Sequence, residues 1–263
     1  MVIDDIGQQL STDITYRRII SLVPSTTETL FSLGLQDTIV GCTRFCVYPY
    51  DKIRLLPKVG GTKDIDIQRI LDLQPDLIVA NAEENTQEIF VEIQKHNIPL
   101  YVAFPKTVHE ALEDLLRLGE LLQVSDIALD LHTKIQKAKK QLISHTFSFA
   151  YVIWRNPWMV VSNDCFISDM IAQFGGQNIF DHTRYPNRYP QIELQELKRA
   201  DVVLLSSEPF PFQDKHVEEL QQIGIEHHKI QLIDGELMSW HGIRMLRAFV
   251  QPQLFAKKAF LEH

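Results

Sequence analysis

The chain reads as an α/β protein of two lobes, each with a parallel sheet flanked by helices, joined by a single long helix. Three observations predict this. Residues 125–145 place Ile127, Leu131, Ile135, Ala138 and Leu142 at intervals of three or four, so one helical face is apolar. Strands alternate with helices on both sides of that stretch, the pattern of parallel sheets covered on both faces. A weak repeat also relates the halves. The order Ile-Gln-Arg-Ile-Leu-Asp-Leu-Gln-Pro-Asp-Leu-Ile-Val-Ala from Ile67 returns, condensed, from Leu194 as Leu-Gln-Glu-Leu-Lys-Arg-Ala-Asp-Val-Val-Leu-Leu. The expected division is an N-terminal α/β lobe over 1–122, a linking helix over 123–146 and a C-terminal α/β lobe over 147–263.

Taken in order, residues 2–16 predict a short strand or hairpin with Gly7 at its turn. Arg18 to Val23 is a buried strand that stops at Pro24. Ser25 and Glu28 have the spacing of a capping box, and Gly34 follows as a helix stop. Residues 38–42 form a second strand. Asp66 opens a helix that Pro75 ends, and residues 76–80 are a strand. A helix over 86–96, a strand over 100–104 and a helix from Thr107 to about Leu122 complete the first half, with Thr107 and Glu110 as a second capping box. Ser125 and Asp126 start the long helix, which no Gly or Pro interrupts, and Lys134, Lys137, Lys139 and Lys140 fill its other positions. A single uninterrupted helix implies a stiff spine, small lobe movements and a cleft formed without ligand.

Beyond it, residues 149–154 and 159–162 are strand-like. A helix over 166–174 stops at Gly175 and Gly176. A short helix over 194–199 leads into a strand at 202–205. A helix over 217–223, a strand over 230–233 and a final helix from Gly242 to about Leu254 follow.

Composition narrows the classes. A hydrophobic fraction of 45% and a charged fraction of 23% are those of an ordinary globular protein. A net charge of -8 repels phosphate and disfavours non-specific nucleic-acid binding. Nothing is long and apolar enough to span a bilayer. The three cysteines cannot all pair within the chain, which fits a reducing compartment, and Cys42 and Cys46 lack the second pair a zinc site needs. The start Met-Val-Ile-Asp-Asp-Ile-Gly-Gln has neither the basic nor the apolar region of a secretory signal. Read as native, it implies a cytoplasmic protein; a periplasmic or lipid-anchored one with its leader removed would look the same.

Ligands of open parallel sheets bind at the carboxyl ends of strands. The residues that follow the strands are therefore the candidates: Phe45 with Arg44 and Cys46, Thr62 with Lys63, and Asn81 with Glu83, Glu84 and Asn85. In the second half they are Trp154, Arg155 and Trp158, then Glu208 with Phe210 and Phe212, then Glu236, Trp240 and His241. Tryptophans in loops suit ligand contact, although one of the three could simply seal a lobe. The segment Arg184-Tyr-Pro-Asn-Arg-Tyr-Pro, with Arg188 and Tyr189, could stack on a flat ligand, bind carboxylates or be an ordered surface loop. His241 is the one histidine considered as a ligand or proton donor, and a structural role suits it better. No His-x-His, His-Glu-x-x-His, Cys-x-x-Cys, phosphate-binding glycine loop or Gly-x-Ser-x-Gly is present, so bare-metal, nucleotide and serine-hydrolase readings lack their signatures. Ser25 could pass for a nucleophile, but capping by Glu28 explains it better.

Three stretches carry a family resemblance: Arg-Ile-Ile-Ser-Leu-Val-Pro-Ser-Thr-Thr-Glu-Thr-Leu from Arg18, Leu-Asp-Leu-Gln-Pro-Asp-Leu-Ile-Val-Ala from Leu71, and Gly-Gly-Gln-Asn-Ile-Phe from Gly175. In that order they resemble the helical-backbone substrate-binding proteins of ABC importers for vitamin B12, haem and iron–siderophore complexes. The similarity runs from about Arg18 to the C-terminal helix. It implies two α/β lobes on one helix, with the ligand between them. Phe45, Thr62, Asn81, Trp154 and Tyr189 match the family's aromatic contacts, and Glu236 and Trp240 fall near its acid–base pair. Thr62 and Asn81 stand where the family has tryptophan. Gln68 and Gln195 stand where it has one permease-docking glutamate per lobe, with Glu193 and Glu196 adjacent to the second.

The resemblance thus implies non-catalytic binding of a bulky metal-centred ligand in the inter-lobe cleft: cobalamin, haem or an iron chelate. No cofactor is covalently held, and an ABC permease partner is in doubt because both docking positions are neutral amides. The alternative is a cytosolic enzyme or chaperone acting on a tetrapyrrole or metal chelate. It requires Cys46, Glu208, Glu236 and His241 to converge.

Overall fold

The computed structural model describes residues 1–142, 145–251 and 255. By its internal contacts the chain divides into two units. The first comprises Met1–Pro105, His109–Lys134 and His241–Arg244; the second comprises Lys106–Val108, Ile135–Trp240 and the described residues from Met245 onward.

The first unit opens with a small hairpin, β1 (Val2–Ile3) and β2 (Gln9–Leu10), paired antiparallel. Its main sheet uses β3 (Ile19–Ser21), β4 (Ile39–Cys42), β5 (Leu77–Asn81) and β6 (Leu100–Ala103). All are parallel, in the order β4-β3-β5-β6. Every residue of β5 and β6 is buried, as a sheet with both faces covered requires. Ile78 and Ala80 of β5 face one core cluster together with Ile20, Leu22, Phe90 and Val102.

The helices among these strands are α1 (Pro24–Ser32), α2 (Tyr50–Ile53), α3 (Ile67–Asp72), α4 (Gln87–Lys95) and α5 (Val108–Leu121). Asp66 caps α3 by accepting from the Arg69 amide at 3.1 Å, where the sequence puts the helix start. Gly34, at φ +80°, follows the end of α1 in the left-handed conformation glycine tolerates. The expected capping box on α1 does not form. Pro24 occupies the first helical turn and makes Val23 the N-cap, with no side-chain cap bond, so Ser25 is already inside the helix. Glu28 turns instead to Arg244, whose Nε donates to its carboxylate at 2.8 Å, both side chains about 5% exposed or less.

The long helix α6 (Ser125–Lys140) is counted with the first unit to Lys134 and with the second from Ile135. It is shorter than its periodicity suggests. The Gln141 amide donates back to Ala138 at 3.0 Å and that of Leu142 to Lys139 at 3.1 Å, three-residue steps that close the last turn. The expected continuation through 143–144 lies outside the described residues.

The second unit's sheet contains β7 (Phe147–Trp154), β8 (Met159–Val160), β9 (Gly176–Asn178), β10 (Val202–Ser206) and β11 (Ile230–Ile233), in the order β11-β10-β7-β8 with β9 also on β7. β9, β10 and β11 run parallel to their partners, but β8 is antiparallel to β7. Only four residues link β7 to β8, and a parallel return needs a crossover of a dozen or more. The flanking helices are α7 (Phe166–Ala172), α8 (Asp214–Gln222), α9 (Gly235–Ser239) and α10 (Arg244–Phe249), with 3-10 turns at Leu194–Arg199 and His227–Lys229. α8 begins three residues earlier than expected, because Gln213 and His216 form a capping box that starts it. α10 is shorter than expected at its start, since Gly242 sits at φ +77°, outside the helical region. Its expected end over 252–254 lies outside the described residues. Ala150, Val152, Phe180, Leu197, Val203 and Leu220 form the centre of this unit's core. Among the described residues no helix is long and apolar enough to cross a membrane.

Candidate ligand-binding site

In the first unit the chain goes from β3 to β4 on one side and later to β5 on the other, so the strand order reverses beside β3. The carboxyl ends there are the sheet's natural binding edge. What stands at that edge is a buried polar network. The side-chain oxygen of Asn81 accepts from the amides of Glu83 and Glu84 at 2.8 and 3.3 Å, which leaves its Nδ2 facing His241 Nε2 at 3.2 Å. An amide NH2 can only donate, so Nε2 is the acceptor and the neutral ring carries its proton on Nδ1. Ser25 Oγ lies 3.5 Å from the same nitrogen. Burial pushes the His241 pKa down to about 4, in keeping with a ring held neutral. The side chain of Asn85 closes the network, accepting from the Asn81 amide at 3.0 Å and donating to the Thr62 carbonyl at 2.8 Å. Thr62 and Asn81 are 8% and 4% exposed, so the two positions that lack tryptophan are built into the wall.

Phe45 stands apart from this network. It is 50% exposed on the loop after β4, with the Arg44 guanidinium 4.9 Å from its ring centre. Arg44 is itself paired with Asp64 at 2.9 Å. Cys46, one residue on, is buried against the hydroxyls of Thr27 and Thr43.

In the second unit Trp154 ends β7 with 40% of its surface exposed and meets Phe210 edge-on at 5.8 Å. Trp158 stacks on Phe212 and packs against the core. Arg155 is clamped by Glu219 through two bonds of 2.8 and 3.0 Å. Glu208 accepts from Ser239 Oγ at 2.6 Å and from the Trp240 indole at 3.1 Å, holding that ring in a buried position. Glu236 lies in the first turn of α9, half-buried. Tyr189 is half-buried beside Arg188, whose guanidinium lies 5.6 Å from its ring and whose Nε donates to the Asp164 carbonyl at 2.8 Å.

Sequence reasoning missed three parts of this arrangement. Ser25 joins His241 and Asn81; the sequence offered it as a helix cap or a nucleophile and not as their partner. Ser239 follows the last strand with Trp240, but its sharing of Glu208 with that ring was not foreseen. The third is a polar cleft of about 200 Å³ in the second unit, lined by Lys106, Asp164, Cys165, Ser168, Asp169 and Asn178. There Lys106 bonds Asp164 at 3.0 Å and holds its carboxyl below the usual range.

Gln68 and Gln195 are both exposed, and Gln68 donates to Asp72 at 2.8 Å. Neither neighbouring glutamate substitutes for Gln195. Glu193 and Glu196 form the capping box of the 3-10 turn, and Glu196 also takes the Tyr185 hydroxyl. Among the described residues no group of three or more His, Cys, Asp or Glu side chains is placed to hold a metal ion.

Two α/β units with ligand-type residues at the carboxyl edges of their sheets, joined through a helix, define a substrate-binding protein. Residues 19–222 match the model of the family described as periplasmic binding protein, and the chain belongs to that family. It is 27% identical over 196 residues to the vitamin B12-binding protein of Photorhabdus laumondii, covering 72% of this chain and 70% of that one. Among solved structures, the periplasmic vitamin B12 binding protein of Vibrio cholerae superposes with a TM-score of 0.77 at 22% identity, over 94% of this chain and 99% of its own. The periplasmic heme-binding protein RhuT from Roseiflexus sp. RS-1, in apo form, gives 0.74 at 18%, over 93% and 97%. The resemblance to substrate-binding proteins of ABC importers therefore holds, as does the α/β fold.

The chain is a non-catalytic binding protein, and the enzymatic alternative falls with that assignment. Cys46 and His241 belong to the first unit, Glu208 and Glu236 to the second. Cys46, His241 and Glu208 each carry hydrogen bonds to neighbours in their own unit.

Proposed function

We propose that this protein binds a bulky metal-centred ligand, a corrinoid, a haem-like tetrapyrrole or an iron chelate, through exposed aromatic residues at the carboxyl edges of its sheets. One observation carries the reading: large aromatic side chains stand exposed at the carboxyl edges of both sheets, Phe45 at 50% and Trp154 at 40%. Folding normally buries such rings, and an exposed ring gains most when a flat ligand covers it. Tyr189 and Glu236 are further partly exposed candidates, while Trp158 stacks on Phe212 and Trp240 is held buried by Glu208. Thr62 and Asn81 add no aromatic surface, so this ligand is gripped by fewer rings than the family pattern supplies. Relatives named for vitamin B12 and heme support the ligand class.

The exposed amides of Gln68 and Gln195 favour a binding role that does not depend on tight docking to a permease, because a neutral amide makes no charge-assisted bond to arginine. The test is an absorbance titration of the purified protein with cyanocobalamin, hemin and a ferric hydroxamate. Saturable binding of one of them at micromolar concentration is expected; no spectral change with any of the three overturns the reading.

A further inference from the structure

Cys42 and Cys46 bracket the three-residue loop Thr43-Arg44-Phe45, and their side chains share one buried cluster and a side-chain hydrogen bond. Cys42 ends β4 and is fully buried; Cys46 is 2% exposed, with its amide bonded to the Thr43 carbonyl at 3.2 Å in a tight turn. The hydroxyls of Thr27 and Thr43 lie 3.1 and 3.2 Å from Cys46 Sγ; Thr27 gives its one proton to the Val23 carbonyl at 2.8 Å, so toward the sulfur only the Thr43 hydroxyl is free to donate. Lys58 donates to Cys42 Sγ at 3.2 Å and to the Cys46 carbonyl at 3.3 Å. An ammonium on one sulfur and a hydroxyl able to donate beside the other favour a thiolate within the pair, and apolar packing of structural cysteines does not call for them. Burial works to raise the Cys46 pKa, but hydrogen bonding, that with Cys42 first, outweighs it and brings the thiol down, while Cys42 is pushed up. The third cysteine is a contrast within the same chain: Cys165 Sγ donates its proton to the Ser162 carbonyl at 3.2 Å, a bond only the thiol can make.

We propose that Cys42 and Cys46 form a redox modification site, oxidised by small hydroperoxides to a disulfide that pins the Thr43-Arg44-Phe45 loop. In the first step the Cys46 thiolate attacks the outer oxygen of the hydroperoxide. The O–O bond breaks, the alcohol or water leaves after taking a proton, and Cys46 becomes a sulfenic acid as the hydroperoxide is reduced. In the second step Cys42 sulfur attacks the sulfenic sulfur. The S–S bond forms, the S–O bond breaks, and the Cys42 proton leaves with the hydroxyl as water. A small oxidant suits sulfurs that are 0% and 2% exposed beside the exposed residues Phe45 and Val47. The site stands whichever ligand the protein carries.

Trypsin provides the test, because it cuts after Arg44, between the two cysteines. Full-length protein is exposed to hydrogen peroxide, free thiols are alkylated, and the digest is run without reductant. Residues 19–44 and 45–52 are expected to stay linked, and to separate on reduction, while Cys165 is alkylated. Cys46→Ser abolishes the linkage. Lys58→Met removes the ammonium on Cys42 Sγ and slows the second step, attack of the Cys42 sulfur on the sulfenic acid, so that the sulfenic acid is trapped by dimedone in the variant. Alkylation of both Cys42 and Cys46 in a sample whose methionines have been oxidised overturns the proposal, as does linkage that forms no faster than modification of Cys165.

Discussion

His241 shows how one buried side chain sets a pH dependence. Its folded pKa of about 4 lies below the ordinary histidine value of 6.5. As pH falls below 6.5 the unfolded chain takes up a proton that the folded chain refuses, so stability falls until about pH 4 and then levels. The shift corresponds to about 3 kcal/mol. Asp114, pushed up to about 6 by burial, gives the opposite slope over part of that range. The difference between wild type and His241→Gln therefore isolates the histidine, and urea midpoints across pH 4 to 7 should fall less steeply in the variant. The ion pair of Glu28 with Arg244 is the other residue-level test. Removing one partner leaves a buried charge, so Arg244→Met should cost about 3–5 kcal/mol in denaturant unfolding. A loss under 1 kcal/mol would show that the pair is solvated. Both contacts escaped the sequence because local spacing offered a competing explanation for Ser25 and Glu28, and nothing local linked either to residues 241–244.

At the scale of elements, the contact between α5 and α6 is unusually close. Gly119 of α5 faces Ala128 of α6, and a Cβ built on Gly119 would lie 2.3 Å from the Ala128 Cβ. Both atoms would be fixed to helix backbones, so the helices would have to part. In an unconstrained helix Gly→Ala stabilises by about 0.5–1 kcal/mol; here Gly119→Ala should instead destabilise by about 1–3 kcal/mol. Thermal unfolding decides the sign, and a raised melting temperature would mean that the contact is looser than described. The helix boundaries were legible where local chemistry was strong, at the stop Gly34 and the start Asp66. They were misjudged where it was weak: α6 ends at Lys140 although its apolar periodicity continues, because periodicity records which face is buried and not where hydrogen bonding ceases.

For the molecule as a whole, binding and stability should rest on different aromatic residues. Phe45→Ala and Trp154→Ala each remove a half-exposed ring, so each should weaken ligand binding about tenfold and leave the melting temperature within about a degree. Trp158→Ala should behave in the opposite way, because that ring stacks on Phe212 over the core. Titration and thermal unfolding of the same three variants check this; a Trp154 variant that melts early but binds normally would move that ring from the site to the scaffold.

The alternation of strands and helices, the parallel sheets and the family were determined by the sequence itself. Each rests on residues near one another in the chain, where periodicity, proline and glycine act locally. Which polar groups meet was decided only by the tertiary structure. Asn81 and His241 are 160 residues apart and Glu28 and Arg244 are 216 apart, and no local rule brings them together. The same holds for the loop tryptophans: alike in the sequence, they divide into exposed Trp154 and buried Trp240, because burial depends on what the rest of the fold packs against each ring.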